Sequence, residues 1–195
     1  MHFVFGLGNP GPRYDETRHN VGFIVVDELV RRWGGRLGHD KFGNTSGDIL
    51  IKQKKTLIAK PQKFMNRSGV PARALLDYFK GLPSKVIVIH DDLDLEFGVV
   101  RVKVGGGHGG HNGLRNLHLH LATDAYLRVR VGVGRPPQGW KVADYVLGKW
   151  NTEESLKVDD IVTKAADAVE IIITAGQNTA MNIVNARARQ QSKPV

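Results

Sequence analysis

The chain has no cysteine among its 195 residues, so neither a disulfide framework nor a thiolate zinc site can form. It also lacks an apolar run of membrane-spanning length and an amino-terminal segment that resembles a cleaved signal peptide. We therefore expect a cytoplasmic protein with no segment inside a membrane. The length suits one hydrophobic core, and we predict a single domain over residues 1–195 with a frayed polar tail from about 187 to 195.

Acidic residues are few relative to basic ones: 19 Asp and Glu stand against 28 Lys and Arg, which gives a formal net charge of +9. Such an excess favours a polyanionic partner, either nucleic acid or an anionic membrane, because positive potential steers polyanions toward the surface. More than half of the basic residues are expected on an ordinary solvated surface. A local concentration surrounds one glycine-rich segment and comprises Arg101, Lys103, Arg115, Arg128, Arg130 and Arg135.

That segment, the glycine loop, reads GGGHGGHNG over residues 105–113 and holds six glycines in nine residues. It follows a basic strand-like stretch at 99–104. Glycine loses more backbone entropy on folding than any other residue, so a glycine run marks backbone with positive φ or backbone close to a ligand. A flexible linker is the alternative, but linkers seldom present His108, His111 and Asn112 ahead of an apolar helix. The loop is predicted to form part of a site.

Apolar runs alternate with helix-period patterns along the chain. Continuous apolar strands are predicted at residues 2–7 and 85–90, and an apolar residue at every fourth position predicts a helix over 21–33. This alternation predicts a single-domain, three-layer α/β/α sandwich with a twisted, mixed but mostly parallel central sheet. Ligands of such sheets lie at the carboxyl ends of the strands. That rule brings Asn9, Asp91 and the glycine loop together.

Shorter patterns predict the remaining elements. Strands at 48–52 and 56–60 around the polar residues 53–55 predict a hairpin. The last third of the chain is predicted to be helical, with an apolar stripe formed by Ile161, Ala165, Ala168, Val169 and Ile172.

Residues 6–11, GLGNPG, match the G-x-G-x-x-G dinucleotide fingerprint after a strand. The fingerprint needs a helix that begins within the glycines, whereas Pro10 and Pro12 defer the helix to about Arg18. No acidic residue closes a second strand at the required distance, and the glycine loop lacks the Gly-Lys-Ser/Thr of a phosphate-binding loop. We therefore predict that no cofactor binds here.

His19 lies at the predicted start of a helix. A lone histidine there is more often structural, since imidazole commonly satisfies a local hydrogen bond. It becomes a general base when a carboxylate orients one ring nitrogen and leaves the other to take a proton from water. Asp91, at the end of a buried strand, is the best-placed partner.

A metal site is an alternative interpretation of the acidic residues that follow His90, taken together with His108 and His111. The spacing argues against it, because no helical metal-binding pair such as H-E-x-x-H is present, and carboxylates near a turn more often cap, solvate or orient. We predict no metal. Residues 61–69 place Asn66 in a loop before a helix, where an amide either caps the helix or pairs with a peptide main chain.

Several motifs, in order and at matching separations, closely resemble those of bacterial peptidyl-tRNA hydrolase: GLGNPG at 6–11, Tyr14, TRHN at 17–20, FMNRSG at 64–69, HDDLD at 90–94, GGGHGGHNGL at 105–114 and RVGVG at 130–134. The resemblance spans nearly the whole chain. It implies a single α/β domain that acts as a monomer without metal or cofactor. The implied reaction is hydrolysis of the ester between a peptide and the 3′ ribose of tRNA, which returns free tRNA to translation.

The resemblance also implies roles for individual residues. His19 would activate water, Asp91 would stabilise its working form, and Asn9 would lie beside the attacked carbonyl. The implied substrate contacts are Tyr14, Phe64, Met65, Asn66, His111 and Asn112 for the peptide and the tRNA end, with Arg101, Lys103 and Arg130 for tRNA phosphates. Asp92 stands where many relatives have glutamate, and Arg101 replaces a lysine; both changes preserve charge.

Two other functions remain open at this stage. A non-catalytic RNA-binding relative of the same fold would keep the basic surface and could dispense with His19, Asp91 and Asn9. A nucleoside phosphorylase-like enzyme would suit the fold and an anion-binding glycine loop. Phosphate-dependent cleavage of nucleosides would support the phosphorylase-like function.

Overall fold

A seven-stranded sheet forms the centre of the protein in a computed structural model that describes residues 1–191. The strands are β1 (His2–Gly6), β2 (Gly38–His39), β3 (Asn44–Ile51), β4 (Lys54–Pro61), β5 (Val86–Asp92), β6 (Val100–Val104) and β7 (Leu127–Gly132). Their order is β2-β3-β4-β1-β5-β7-β6. The central pairs β4–β1, β1–β5 and β5–β7 are parallel, while β3 and β6 run the opposite way. The predicted mixed, mostly parallel sheet is confirmed.

Helices cover both faces of the sheet, as the three-layer prediction requires. They are α1 (Val21–Trp33), α2 (Gly69–Tyr78), α3 (Asn112–Leu121), α4 (Val142–Val146), α5 (Thr152–Ala175) and α6 (Gln177–Gln191). Side chains alternate along β1, so Val4 packs in the core with α1, α5 and α6, whereas Phe3 and Phe5 pack with α2 and α3. Burial on both faces explains why this strand reads as a continuous apolar run.

Helix α1 packs unusually close to the sheet. It buries Val21, Val25 and Leu29 and ends at Gly34, whose φ of 67° suits a left-handed C-cap. A Cβ on Gly22 would lie 2.5 Å from the backbone nitrogen of Leu7, so only glycine permits this approach. The contact brings the start of α1 against the carboxyl ends of β1 and β5.

Helix α5 confirms the helical prediction for the last third of the chain. It begins with a capping box in which Asn151 accepts from the Glu154 amide and Glu154 accepts from the Asn151 amide, both at 2.8 Å. All five residues of the predicted stripe are buried. Among residues 1–191, no helix combines the length and apolar character needed to cross a membrane.

Two predicted elements have other bounds in the structure. The hairpin turn is only Lys52 and Gln53, which adopt φ of 45° and 67°, because β4 already starts at Lys54. β5 continues to Asp92, two residues beyond the predicted strand, so Asp91 lies within it. The frayed tail from about 187 stays a prediction: α6 extends to Gln191 and buries Ala188, and residues 192–195 lie outside the described part of the chain.

Candidate active site

A cleft of about 880 Å³ opens at the carboxyl edge of the sheet. It is lined by the ends of β1 and β5, the glycine loop, residues 64–66 after β4, and one face of α4. The predicted convergence of Asn9, Asp91 and the glycine loop is therefore observed. The sequence-predicted site residues that line the cleft are Asn9, His19, Phe64, Met65, Asn66, Asp91, Lys103, His111, Asn112 and Arg130.

His19 and Asp91 form a buried pair. His19 lies in a short 3₁₀ turn, Arg18–Asn20, directly before α1. Its Nδ1 is 2.8 Å and 2.9 Å from the two carboxylate oxygens of Asp91. Burial alone would lower the pKa of His19, but the charge of Asp91 and its hydrogen bond raise that pKa above its usual 6.5. Burial opposes ionisation of Asp91, yet His19 and His111 hold its pKa well below the usual range.

His111 contacts the same carboxylate from the other side. Its Nε2 lies 2.9 Å from Asp91 Oδ1, and its Nδ1 accepts the amides of Gly113 and Leu114, which makes it the N-cap of α3. Since Nδ1 accepts, the hydrogen resides on Nε2 and is donated to Asp91. Both nitrogens are thus engaged. In this geometry His111 is placed to position Asp91, and its predicted contact with the substrate stays a prediction.

The donor atoms of His19, Asp91 and His111 all lie within 4.8 Å of one another, a spacing that could suit a metal ion. The hydrogen bonds favour a different arrangement. His111 Nδ1 accepts two backbone amides, which leaves the hydrogen on Nε2, and a nitrogen that carries a hydrogen has no lone pair for a metal. These residues therefore fit a hydrogen-bonded cluster better than a metal centre.

His90 adds a third buried imidazole beside this pair. Its Nδ1 lies 2.7 Å from the backbone carbonyl of Asp91, and its ring packs edge-on against His111 with centroids 5.1 Å apart. Burial, together with the nearby His111, lowers the pKa of His90 to about 3. His90 is therefore neutral near pH 7 and holds the end of β5 in place without adding charge.

The side chain of Asn9 has a fixed orientation. Its Oδ1 accepts the amide of Met65 at 2.8 Å, so its NH₂ group is the side left to face the cleft. Its backbone is clamped by Asn20, whose amide accepts from the nitrogen of Asn9 at 2.8 Å and donates to its carbonyl at 2.9 Å. Asn9 therefore presents donors, not acceptors, to a ligand.

The predicted peptide contacts lie at one end of the cleft. Asn66 and Asn112 are exposed, and their side chains make no hydrogen bond within residues 1–191. Phe64 is 54% exposed and packs edge-on against Tyr14 with ring centroids 6.4 Å apart. Tyr14 does not line the cleft itself and reaches it only through Phe64. Two amides and an aromatic rim are thus available to a ligand.

Cations line one face of the β6–β7 pair. Arg101 lies opposite Arg130, and Lys103 opposite Arg128, so all four side chains project from the same face. Arg130 also forms an ion pair of 2.7 Å with Asp92. Arg101 does not line the cleft and extends the basic face beyond it. A polyanion could lie along this face while its end enters the cleft.

Sequence reasoning missed some residues of the site. Asn20 is fully buried and sets the backbone of Asn9, but its place in the TRHN motif gave it no role of its own. The apolar wall of the cleft comes from α4, through Val142 and Val146, and from Leu147 directly after it. α4 has only five residues, too few for a periodic pattern to reveal it.

Comparison with known proteins gives consistent matches along the chain. The sequence profile described as peptidyl-tRNA hydrolase matches residues 3–193. The protein of that name from Nocardia farcinica is 49% identical over 180 residues, which covers 92% of this chain and 93% of the relative. The one from Bacillus subtilis is 42% identical over 187 residues, covering 96% and 100%.

Solved structures agree with the sequence matches. The crystal structure of peptidyl-tRNA hydrolase from Acinetobacter baumannii has a TM-score of 0.90 at 37% identity and covers 95% of both chains. A purine nucleoside phosphorylase from Toxoplasma gondii has a TM-score of 0.51 at 9% identity, covering 93% of this chain and 92% of that one. The second likeness shows a shared fold alone.

Proposed function

The chain belongs to the peptidyl-tRNA hydrolase family, and on that premise we propose that it cleaves the ester between a peptide and the 3′ ribose of tRNA with His19 as the general base. The observation that supports this role is the contact of His19 Nδ1 with both oxygens of Asp91. The carboxylate fixes the hydrogen on Nδ1 and leaves the lone pair on Nε2 to accept a proton.

The proposed reaction needs one water molecule and no covalent nucleophile. The water oxygen attacks the ester carbonyl carbon while His19 Nε2 takes the water proton. The tetrahedral intermediate then collapses, the bond between the carbonyl carbon and the 3′ oxygen breaks, and the imidazolium returns the proton to that oxygen. Asp91 stabilises the imidazolium between these two steps. An ester has a better leaving group than an amide, so a single activated water suffices.

Asn9 is proposed to stabilise the negative charge that develops on the carbonyl oxygen. Its NH₂ group is the free side of a fixed amide, which is what an oxyanion donor requires. Because Asn20 and Met65 hold Asn9 from two directions, the donor does not have to reorganise during the reaction.

The substrate is proposed to cross the carboxyl edge of the sheet. Its tRNA phosphates would lie on the β6–β7 side at Arg101, Lys103 and Arg130, and its peptide would lie on the β1–β4 side. There the proposed contacts are Tyr14, Phe64, Met65, Asn66 and Asn112. Action as a monomer in the cytoplasm, without a metal, also stays a prediction.

The direct test compares N-acetylated and free forms of one aminoacyl-tRNA as substrates for chelator-treated protein. We expect rapid release of free tRNA from the acetylated form and far slower release from the free form, since a free ammonium is costly to desolvate among fixed dipoles. His19→Ala should retain tRNA binding and lose roughly two to four orders of magnitude in turnover.

Two results would contradict the proposal. Equal kcat/KM for both substrate forms would show that the side-chain amides of Asn9, Asn66 and Asn112 do not select the blocked substrate. Near-native turnover by the His19→Ala protein, with contaminating enzyme excluded, would remove His19 from the mechanism. The nucleoside phosphorylase alternative is checked in the same preparation by adding inosine and phosphate, and we expect no phosphate-dependent cleavage.

A further inference from the structure

Arg128 differs from the other cations of the β6–β7 face. It lies in the middle of β7, directly opposite Lys103, yet only 2% of its surface is exposed. A buried guanidinium must have its charge and its N–H groups satisfied by the protein, because burial without partners is costly. The partners of Arg128 therefore indicate what this residue does.

The carbonyl groups that accept from Arg128 belong to the glycine loop. The guanidinium donates through Nη1 to the carbonyl of Gly107 at 2.8 Å and through Nη2 to the carbonyl of Gly106. Nη2 also lies 3.0 Å from Nε2 of His118. Within residues 1–191, Arg128 makes no ion pair with a carboxylate. The two Nη groups are thus directed at consecutive carbonyl oxygens of one loop, while Nε is buried without a hydrogen-bond partner among the same residues.

The loop needs such an anchor. Gly105, Gly106, Gly109 and Gly110 all have positive φ, between 56° and 92°, and glycine has little intrinsic preference for one such conformation. The first part of the loop is otherwise held by backbone amides: that of Gly105 donates to the Tyr126 carbonyl and that of Gly106 to the Asp124 carboxylate, both at 3.0 Å. The carbonyls of Gly106 and Gly107 are fixed by Arg128.

We propose that Arg128 is a positioning residue that holds the glycine loop in the conformation that places His111 and Asn112 at the active site. His111 then donates to Asp91 and caps α3, and both contacts depend on where the loop ends. The functional consequence rests on the proposed hydrolysis of peptidyl-tRNA, whereas the effect on the loop does not.

The competing role for Arg128 is a phosphate contact, which its neighbours on the same face would suggest. Its burial and its two bonds to carbonyl oxygens argue against this role. The two roles predict different salt dependence. Removal of a phosphate-binding cation flattens the plot of log K against log salt by about one unit, whereas removal of a loop anchor leaves the slope unchanged.

The test uses Arg128→Ala in the full chain, with Arg73→Ala as a matched control because Arg73 is an exposed arginine on α2. For N-acetylaminoacyl-tRNA, we expect kcat to fall about 10- to 100-fold in Arg128→Ala, since misplacement of a catalytic group by about 1 Å can cost that much. The salt slope should stay close to wild type. Added guanidinium ion should restore part of kcat, and equal concentrations of urea or methylammonium should not.

Hydrogen exchange gives a readout that does not require activity. In Arg128→Ala the amides of residues 105–111 should lose protection while those of α1 and β5 keep it. If Arg128→Ala does not fold, the same measurements are made on Arg128→Lys. A lysine keeps the charge but cannot hold two carbonyl groups in the fixed geometry of a guanidinium. We expect that variant to show intermediate loop exchange and a reduced kcat.

Unchanged loop exchange with wild-type kcat in the folded variant would overturn the proposal. A salt slope reduced by about one unit would replace it with the phosphate contact. If the unmodified protein does not hydrolyse peptidyl-tRNA, the proposed function fails, and the exchange comparison still decides whether Arg128 anchors the loop.

Discussion

Asp91 accepts hydrogen bonds from two histidines whose other ring nitrogens have different surroundings. His111 uses its second nitrogen on the amides of α3, so its tautomer is fixed and it cannot move a proton to or from a substrate. His19 has no such partner at Nε2 within residues 1–191, so that nitrogen is the one available to a water molecule. Two imidazoles on one carboxylate therefore have separate roles: one positions the carboxylate and the other is positioned by it.

The first prediction at this scale concerns pH. A general base must be neutral, so kcat/KM should rise with pH through an apparent pKa above 6.5 in the wild-type protein. In Asp91→Asn the charge that raises the pKa of His19 is lost while burial, which lowers it, remains. The acid limb should therefore move to lower pH while the plateau falls by about 10²- to 10⁴-fold.

The measurement is a kcat/KM profile between pH 5 and 9 for both proteins at constant ionic strength, roughly the range in which histidine titrates. Circular dichroism at each pH serves as the folding control. An acid limb at the same pH in both proteins would show that the charge of Asp91 does not set the protonation of His19.

Asn9 allows its two amide ends to be tested separately. Asn9→Asp keeps an oxygen for the Met65 amide but replaces the NH₂ donor with a second acceptor, whereas Asn9→Ala removes both ends. If the donor stabilises the oxyanion, both variants should lose about 10²- to 10³-fold in kcat. Single-turnover hydrolysis of N-acetylaminoacyl-tRNA measures this directly. An Asn9→Asp protein with near-native kcat would show instead that Asn9 acts by holding Met65.

At the scale of elements, the sequence predicted strands and helices that carry a long hydrophobic pattern. It did not predict short elements or contacts between residues far apart in the chain. The apolar runs of β1 and β5 and the four-residue period of α1 predicted those elements and the convergence of Asn9 with Asp91. β2 has only two residues and carries no such pattern. The role of α6 depends on a contact 83 positions apart, in which Asn185 makes two 2.9 Å hydrogen bonds to the backbone of Val102 on edge strand β6.

The same limit applies to the site. The motif residues were predicted by resemblance, but no sequence pattern showed that His111 faces Asp91 or that Arg128 is buried. The sequence grouped Arg128 with the basic residues around the loop, and the register of β6 and β7 places it opposite Lys103; only its burial and its bonds to the folded loop distinguish the two residues. Hydrogen-bond direction and burial are tertiary properties that spacing does not encode.

A prediction at this scale concerns the contact between α1 and α5. Arg32 bonds Glu28, Asp167 and Glu170 at 2.6–3.0 Å, and its side chain is only 18% exposed. Arg32→Ala should lower the free energy of unfolding by about 1–3 kcal/mol, because it leaves carboxylates near one another without their shared partner. Urea denaturation measures this change.

Arg31→Ala is the matched control, since Arg31 pairs with the same Glu28 but its side chain is 74% exposed. We expect a much smaller change there, because solvent screens an exposed ion pair. Activity per folded molecule should stay unchanged in both variants, because neither residue lines the cleft. Equal destabilisation by the two variants would show that burial does not set the strength of this network.

At the scale of the whole molecule, the order of the strands places different side chains on the two sides of the cleft. β6 and β7 lie at one side of the sheet and carry the exposed cations, whereas β1 and β4 lie on the other side of β5 and lead to Asn9 and Asn66. Asp91 stands between them at the end of β5. A substrate with a polyanionic part and a peptide part therefore fits this edge in one orientation, with the bond between the two parts near His19.

The last prediction tests that orientation through the double variant Arg101→Gln, Lys103→Gln. These residues lie on edge strand β6 and make no hydrogen bond or ion pair with the catalytic pair among residues 1–191, so their replacement should weaken tRNA binding without changing the chemistry. The slope of log K against log salt should fall by about one unit for each phosphate that the protein no longer neutralises, while hydrolysis of a minimal ester that lacks the tRNA body stays nearly constant.

A second double variant, Lys55→Gln with Arg73→Gln, controls for charge: both double variants reduce the formal net charge from +9 by two, to +7, but Lys55 and Arg73 lie outside the cleft, each paired with an aspartate. If the basic face binds phosphates by direct contact, only the first variant should flatten the slope. If both variants flatten it equally, tRNA is attracted by the overall charge of the protein and the β6–β7 face has no special part in binding. If neither does, the tRNA lies on a different surface, and the orientation inferred for the substrate is wrong.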